Sequence, residues 1–182
     1  MNEQELIQDL CARDEQAFRH LVETYRNKVY ATVFNMLQDR DDAEDCAQEV
    51  FIQVYESISS FKQESSLSTW IYRIAVRKAL DKIRRKKTRQ RLQQFLPWWM
   101  PKEQTKERVE NTIPYEGIEK IAILHKALET LPDKQKIALT LIKIQGLSYN
   151  ETSKIMDLGI KAIESLVSRG KENLERKLKK LQ

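Results

Sequence analysis

Gly146-Leu-Ser-Tyr-Asn-Glu-Thr-Ser-Lys-Ile-Met-Asp-Leu-Gly159 runs directly into Ile160-Lys-Ala-Ile-Glu-Ser-Leu-Val-Ser-Arg169. Gly146 suits the left-handed residue that closes a helix. Ser148 opens the next one, and Glu151 three residues on completes a capping box. Asp157-Leu158-Gly159 reads as a tight turn, with Gly159 an acceptable N-cap for a second helix. In that second helix Ile163, Leu166, Val167 and Leu174 form a narrow apolar stripe that must pack on something. The opposite face carries Lys161, Glu164, Ser165, Ser168, Arg169 and Lys171, the kind of groups that reach bases and phosphates. Short helix, turn and amphipathic helix together predict a helix-turn-helix. An ordinary helical hairpin is the competing reading.

Outward from that stretch, composition points the same way. The chain has 182 residues, 41% hydrophobic and 32% charged, with only four glycines and four prolines. Helical spacing dominates and β-branched alternation is scarce, so the expected class is all-α, in two small helical domains. Cys11 and Cys46 sit in helical patterns without a close Cys or His partner, which predicts reduced thiols and neither a disulfide nor a zinc site. No apolar run reaches the length of a membrane span or a signal-peptide core, so a cytoplasmic protein without membrane insertion is expected.

Charge is segregated. Residues 1–60 hold five basic against thirteen acidic side chains, whereas residues 61–95 hold eleven against two. An acidic block beside a basic one suggests two partners, a cationic protein surface and a polyanion such as nucleic acid. The acidic side chains concentrate on one helical face with Asp42, Asp45, Gln48, Glu49, Gln53 and Glu56, either a solvated face or a docking face. The same helix should bury Ala43, Cys46, Ala47, Val50, Phe51, Val54 and Tyr55. The Ser-rich connector Phe61–Thr69 reads as a loop, with Ser68 or Thr69 capping a helix from Trp70 to about Arg89. Seven of the ten residues Lys82–Arg91 are Lys or Arg, which fits phosphate neutralisation.

Periodicity fades from Arg91 to Ile118, where Pro97, Pro101 and Pro114 interrupt a polar stretch containing Trp98-Trp99. The expected organisation is a first domain at 1–90, a linker at 91–117 and a second domain at 118–182. Such a linker can span tens of ångströms as a coil. In the second domain, Leu131-Pro132-Asp133 reads as a turn plus cap.

With both halves in view, the chain resembles the bacterial sigma-70 family, in particular the extracytoplasmic-function (ECF) group that keeps only regions 2 and 4. Asp41-Asp-Ala-Glu-Asp-Cys-Ala-Gln-Glu-Val-Phe-Ile-Gln-Val-Tyr55 is similar to the region 2 helix that docks on polymerase. Ser68-Thr-Trp-Ile-Tyr-Arg-Ile-Ala-Val-Arg-Lys-Ala-Leu-Asp-Lys-Ile-Arg-Arg85 is similar to the helix that reads the minus-ten element. Leu131-Pro-Asp-Lys-Gln-Lys136, Leu147-Ser-Tyr-Asn-Glu151 and Ala162-Ile-Glu-Ser-Leu-Val-Ser-Arg169 are similar to region 4, which reads the minus-thirty-five element.

The resemblance implies a promoter-specificity subunit with no cofactor, metal or catalytic residue. Asp45, Gln48, Glu49 and Gln53 would bind the beta-prime subunit of core RNA polymerase, with beta also a partner. Lys62, Ser65, Trp70, Arg73, Arg77, Lys78, Asp81, Arg84 and Arg85 would lie on minus-ten DNA, where the Ser-rich loop captures an extruded base. Lys161, Glu164, Ser165, Ser168, Arg169 and Lys171 would meet minus-thirty-five DNA. An anti-sigma factor, often membrane-bound in this group, is a further implied partner. Four positions depart from the family: Arg77 for a frequent Asn, Ala162 and Glu164 for a frequent Thr and Lys, and Gly159 for a capping Ser. Two rivals remain from the residues alone. One is a free-standing helix-turn-helix regulator. The other is a helical metal-dependent phosphohydrolase using Asp41, Asp42, Glu44, Asp45 and Glu49.

Overall fold

The computed structural model describes residues 2–94 and 116–181, and it is helical, with no strand among the described residues. The α-helices among these residues are, in order, α1 Glu3–Cys11, α2 Glu15–Leu37, α3 Arg40–Ser57, α4 Leu67–Gln94, α5 Glu116–Glu129, α6 Asp133–Leu139, α7 Tyr149–Met156 and α8 Ile160–Leu181. Trp98-Trp99 and the three linker prolines lie outside the described residues.

Local capping sets the first boundaries. Asp14 accepts from the Ala17 N–H at 2.7 Å and Asp39 from the Asp42 N–H at 3.0 Å, so an aspartate caps the start of both α2 and α3. Helices α2, α3 and α4 then pack together with α1 across one end, burying Leu21, Val29, Val33, Val50, Val54 and Ile71. Helix α4 starts earlier than the sequence suggests. Ser66, not Ser68 or Thr69, is the cap, accepting from the Thr69 N–H at 3.2 Å, and Glu3 Oε1 accepts from the Leu67 N–H at 2.9 Å. A carboxylate 64 residues away is thus a second cap on α4, favoured by the positive end of the helix.

The second group is α5–α8. Leu128, Leu131, Ala138, Leu139, Ile163 and Val167 form its core, and the stripe predicted on α8 is the face that packs. Gly170 lies so close to α6 that a Cβ there would sit 2.9 Å from Leu139 Cδ1. Asp133 is not a cap: Pro132 holds that position, and the Asp133 carboxylate instead pairs with Lys87 Nζ at 2.6 Å. Helix α6 runs on as a π-helical turn over Thr140–Ile144, closed by the Gln145 N–H donating to the Thr140 carbonyl. The left-handed Gly146 comes next at φ 70°.

The two groups share a continuous core. Ile137, Leu141 and Ile155 from the second group are buried in the same cluster as the α2–α4 side chains. Tyr72, Val76 and Ala79 are buried on α4 as well as Ile71 and Ala75, so α4 is covered on two sides.

The two turn glycines should respond oppositely. Gly146→Ala forces a side chain into the left-handed region and should cost about 1–2 kcal/mol. At Gly159 there is open space and no left-handed backbone, so Gly159→Ser should be neutral or stabilising by a few tenths of a kcal/mol. Chemical denaturation of both variants checks the pair.

Candidate nucleic-acid and polymerase interface

The predicted helix-turn-helix is present. Ser148 Oγ accepts from the Glu151 N–H at 3.2 Å while Glu151 Oε2 accepts from the Ser148 N–H at 2.8 Å, a complete capping box. Asp157 takes the left-handed conformation that ends α7, and Ala162 and Ile163 donate to the Gly159 carbonyl to start α8. Lys161, Glu164, Ser168, Arg169 and Lys171 are exposed on α8 and Ser165 is half-buried among them. Arg169 folds along the helix, Nη2 donating to Ser165 Oγ at 2.8 Å. Glu164 puts an acceptor into this basic face, which repels phosphate and suits a cytosine amino group.

The residues predicted for minus-ten DNA divide between two cavities. Lys62, Ser65, Trp70 and Arg73 line one of about 420 Å³, walled also by Phe61, whose ring centroid is 5.1 Å from that of Trp70. Arg73 Nε is buried there with no hydrogen-bond acceptor, an unused donor beside an aromatic face. That combination suits an extruded base or its phosphate. Two residues the sequence reading missed, Lys154 and Asp157, complete the wall from the far side of the fold. They are invisible to local pattern because they reach the cavity only through tertiary packing.

The other cavity, about 450 Å³, is a groove between α3 and α4, with Glu49 and Gln53 on one wall and Trp70, Arg77, Lys78, Asp81 and Arg85 on the other. Arg84 is exposed and pairs with Asp81 at 3.4 Å. Asp45 and Gln48 are exposed on α3, while Glu49 and Gln53 are half-buried.

The acidic face of α3 has an internal basic neighbour. Lys78 Nζ lies 3.8 Å from Glu49, Lys82 Nζ 3.8 Å from Asp45, and Lys86 Nζ 3.2 Å from Asp42. These partly exposed pairs contribute roughly a few tenths of a kcal/mol each, and they place the acidic and basic blocks against one another. Tyr55, expected inside, is 41% exposed, held at the surface by Arg13, whose guanidinium stacks 4.5 Å above the ring. Ile52, beside the acidic residues, is 58% exposed and gives the face an apolar element. Among the described residues, no group of three or more His, Cys, Asp or Glu could hold a metal ion. His20 is exposed, and His125 is half-buried against Phe34 and Gln38. Among the described residues no helix is long and apolar enough to cross a membrane.

Residues 21–89 match the family description Sigma-70 region 2, and residues 121–174 match Sigma-70, region 4. The chain is 30% identical to the ECF RNA polymerase sigma factor SigW of Bacillus subtilis strain 168 over 179 residues, covering 96% of each. It is 32% identical to the ECF RNA polymerase sigma-E factor of Haemophilus influenzae, covering 100% of this chain and 97% of the relative. The chain belongs to the sigma-70 family, as an ECF-type sigma factor.

Solved structures agree on the fold. CnrH, solved in complex with the cytosolic domain of CnrY, superposes with a TM-score of 0.73 at 18% identity over 97% of both chains. RpoE of Bartonella quintana, solved with the anti-sigma factor NepR, gives 0.68 at 22% identity over 89% of this chain and 96% of that one. As a member of that family, shown by both region matches and by relatives at 30% identity or more, the sigma factor is a promoter-specificity subunit of RNA polymerase, with core polymerase and promoter DNA as its partners. Its family is that of non-catalytic initiation subunits.

Ser148 hydrogen bonding holds the Glu151 carboxyl below the usual glutamate range. A lowered folded value means the carboxylate's contribution to stability is complete above the unfolded range and is lost as pH falls through the folded one. Glu151→Gln keeps the hydrogen-bond pattern of the box but not the charge. The melting-temperature gap between wild type and this variant should be present at neutral pH and close in acid, as thermal melts across pH will show.

Proposed function

We propose that the sigma factor divides its task among three surfaces: α3 for core polymerase, the Trp70–Arg73 cavity with the basic face of α4 for the minus-ten strand, and α8 for the minus-thirty-five duplex. The observation that carries this reading is the cavity itself. An aromatic ring and a buried, unused guanidinium donor stand together beneath a Ser-rich loop at the head of a basic helix. Unstacking a base costs a few kcal/mol, and a pocket offering stacking and hydrogen bonding offsets that cost.

On α3, Asp45, Gln48, Glu49 and Gln53 with exposed Ile52 form a polar, mostly acidic face around an apolar residue, complementary to a basic helical surface of the polymerase. On α8, Ser165, Ser168 and Arg169 read base edges with Glu164 accepting, and Lys161 and Lys171 neutralise phosphate. The domains divide the same way: core and minus-ten functions in the first, which the sequence bounds at 1–90 and whose last helix α4 runs on to Gln94, and minus-thirty-five recognition in the second, which the sequence bounds at 118–182 and whose first helix α5 begins at Glu116. The protein acts in the cytoplasm without catalysing a reaction of its own. Its activity is held off by an anti-sigma factor, in keeping with two similar folds solved with CnrY and NepR.

Two measurements test the assignment. Gln48→Lys with Gln53→Lys places positive charge on the α3 face without touching its ion pairs to α4. It should weaken binding to purified core polymerase by about tenfold or more while leaving the melting temperature unchanged. Unchanged affinity would remove α3 from the polymerase interface. Trp70→Ala should weaken binding of a single-stranded minus-ten oligonucleotide by roughly 1–3 kcal/mol and leave duplex binding by α8 intact. Equal loss on both probes would instead indicate a packing defect.

A further inference from the structure

We propose that Ser165 serves base reading through Arg169: it holds the guanidinium in one orientation, so that the free edge of that group selects a guanine in the major groove. The inference rests on the reading of α8 as the helix that meets the minus-thirty-five duplex.

A guanidinium carries five N–H groups, with a side edge formed by Nε and Nη2 and an end edge formed by Nη1 and Nη2. The side edge of Arg169 is spent on one residue. Its Nη2 donates to Ser165 Oγ at 2.8 Å, and its Nε donates to the Ser165 carbonyl at 3.3 Å. The end edge keeps a pair of parallel N–H groups with no acceptor among the described residues. Only guanine presents two acceptors, O6 and N7, side by side in the major groove, and a bidentate arginine matches them.

The hold also decides which part of α8 the charge serves. Arg169 lies in the third turn of a helix that begins at Ile160. Folded back along the helix, its guanidinium lies level with Ser165, one turn nearer the N-terminus. A recognition helix meets base edges with its N-terminal residues.

Neighbouring polar groups are not held in this way. Ser168 Oγ is 3.4 Å from Glu172 Oε1, long for a hydroxyl donor. Lys161, Glu164 and Lys171 make no hydrogen bond or ion pair among the described residues. DNA must order those four side chains at a cost in entropy, whereas Arg169 is set in place beforehand.

The mount beneath is firm. Ile163 and Val167 are at most 2% exposed on the inner face of α8, and Gly170 lies against Leu139 of α6. Three residues on, Asn173 Nδ2 donates to Gln135 Oε1 at 2.9 Å. The stretch that carries Ser165 and Arg169 is thus fixed against α6, which gives the oriented guanidinium a defined place on the duplex.

The test uses holoenzyme, assembled from this chain and purified core RNA polymerase, to select from a random duplex library that is sequenced after binding. Wild type should enrich a guanine at one position of the upstream motif. Arg169→Lys keeps the charge without the fork and should reduce that preference by about tenfold or more. Ser165→Ala should reduce it by roughly threefold to tenfold at the same position and nowhere else. Ser165→Thr keeps the acceptor and should retain the preference. Ser165→Ala combined with Arg169→Lys should be no less selective than Arg169→Lys alone. Alanine is the better helix former, so Ser165→Ala tests the contact and not the fold.

An unchanged guanine preference in Ser165→Ala, or a change at a different position, overturns the positioning role. If Arg169→Lys weakens binding to every sequence by the same factor, Arg169 sits on a phosphate, and guanine selection is overturned. If the upstream motif is unchanged in these variants and in Lys161→Ala, Glu164→Ala and Ser168→Ala as well, α8 does not read that duplex. The underlying reading then fails, and the inference falls with it.

Discussion

The packing of α4 governs the rest of the molecule. Its Ile71 and Ala75 complete the α2–α3 core, Tyr72, Val76 and Ala79 lie on a buried second side, and Arg77, Asp81, Arg84 and Arg85 stay in solvent. A helix that serves two packings and a charged surface has little room for error in its register. That register is fixed at the N-terminus by Ser66 and by Glu3, so α1 anchors a helix far along the chain. Trp70 lies in the first turn after this anchor, at the cavity where a strand would enter. Rigid support beneath a nucleotide site limits the ordering that binding must impose.

The same packing accounts for what could and could not be read in the sequence. Features set within four residues were legible: the Ser148–Glu151 capping box, the turn at Asp157–Gly159 and the stripe Ile163, Val167. The two-sided burial of α4 was not. Apolar residues on more than one face flatten the helical pattern, and the basic run masks what remains. The sequence does not single out Ser66 as the cap, because three hydroxyl residues, Ser66, Ser68 and Thr69, compete for the role and only the conformation of the loop chooses among them. Gly170 gives no local signal either, since its lack of a side chain matters only to Leu139 of another helix.

For the site, residue types were legible and groupings were not. The acidic and basic blocks read as surfaces for two separate partners, yet Glu49 and Asp45 lie beside Lys78 and Lys82 across one groove. These pairs are weak in water. Their significance is thermodynamic: a partner that engages the carboxylates alters the field at the lysines, and DNA on the lysines alters the field at the carboxylates. Were a partner to bind the carboxylates and DNA the lysines, the two events would be coupled, and such coupling is reciprocal. A promoter-specificity subunit has reason to favour DNA when polymerase is attached.

Run-off transcription decides whether this chain directs polymerase to promoters. Purified core RNA polymerase is given fragmented genomic DNA with and without the protein, and start sites are mapped. New start sites should appear only with the protein and share two upstream motifs at a fixed spacing. No new start sites, with the protein binding duplex DNA by itself, would contradict the promoter-directing role and leave a free-standing helix-turn-helix regulator in its place.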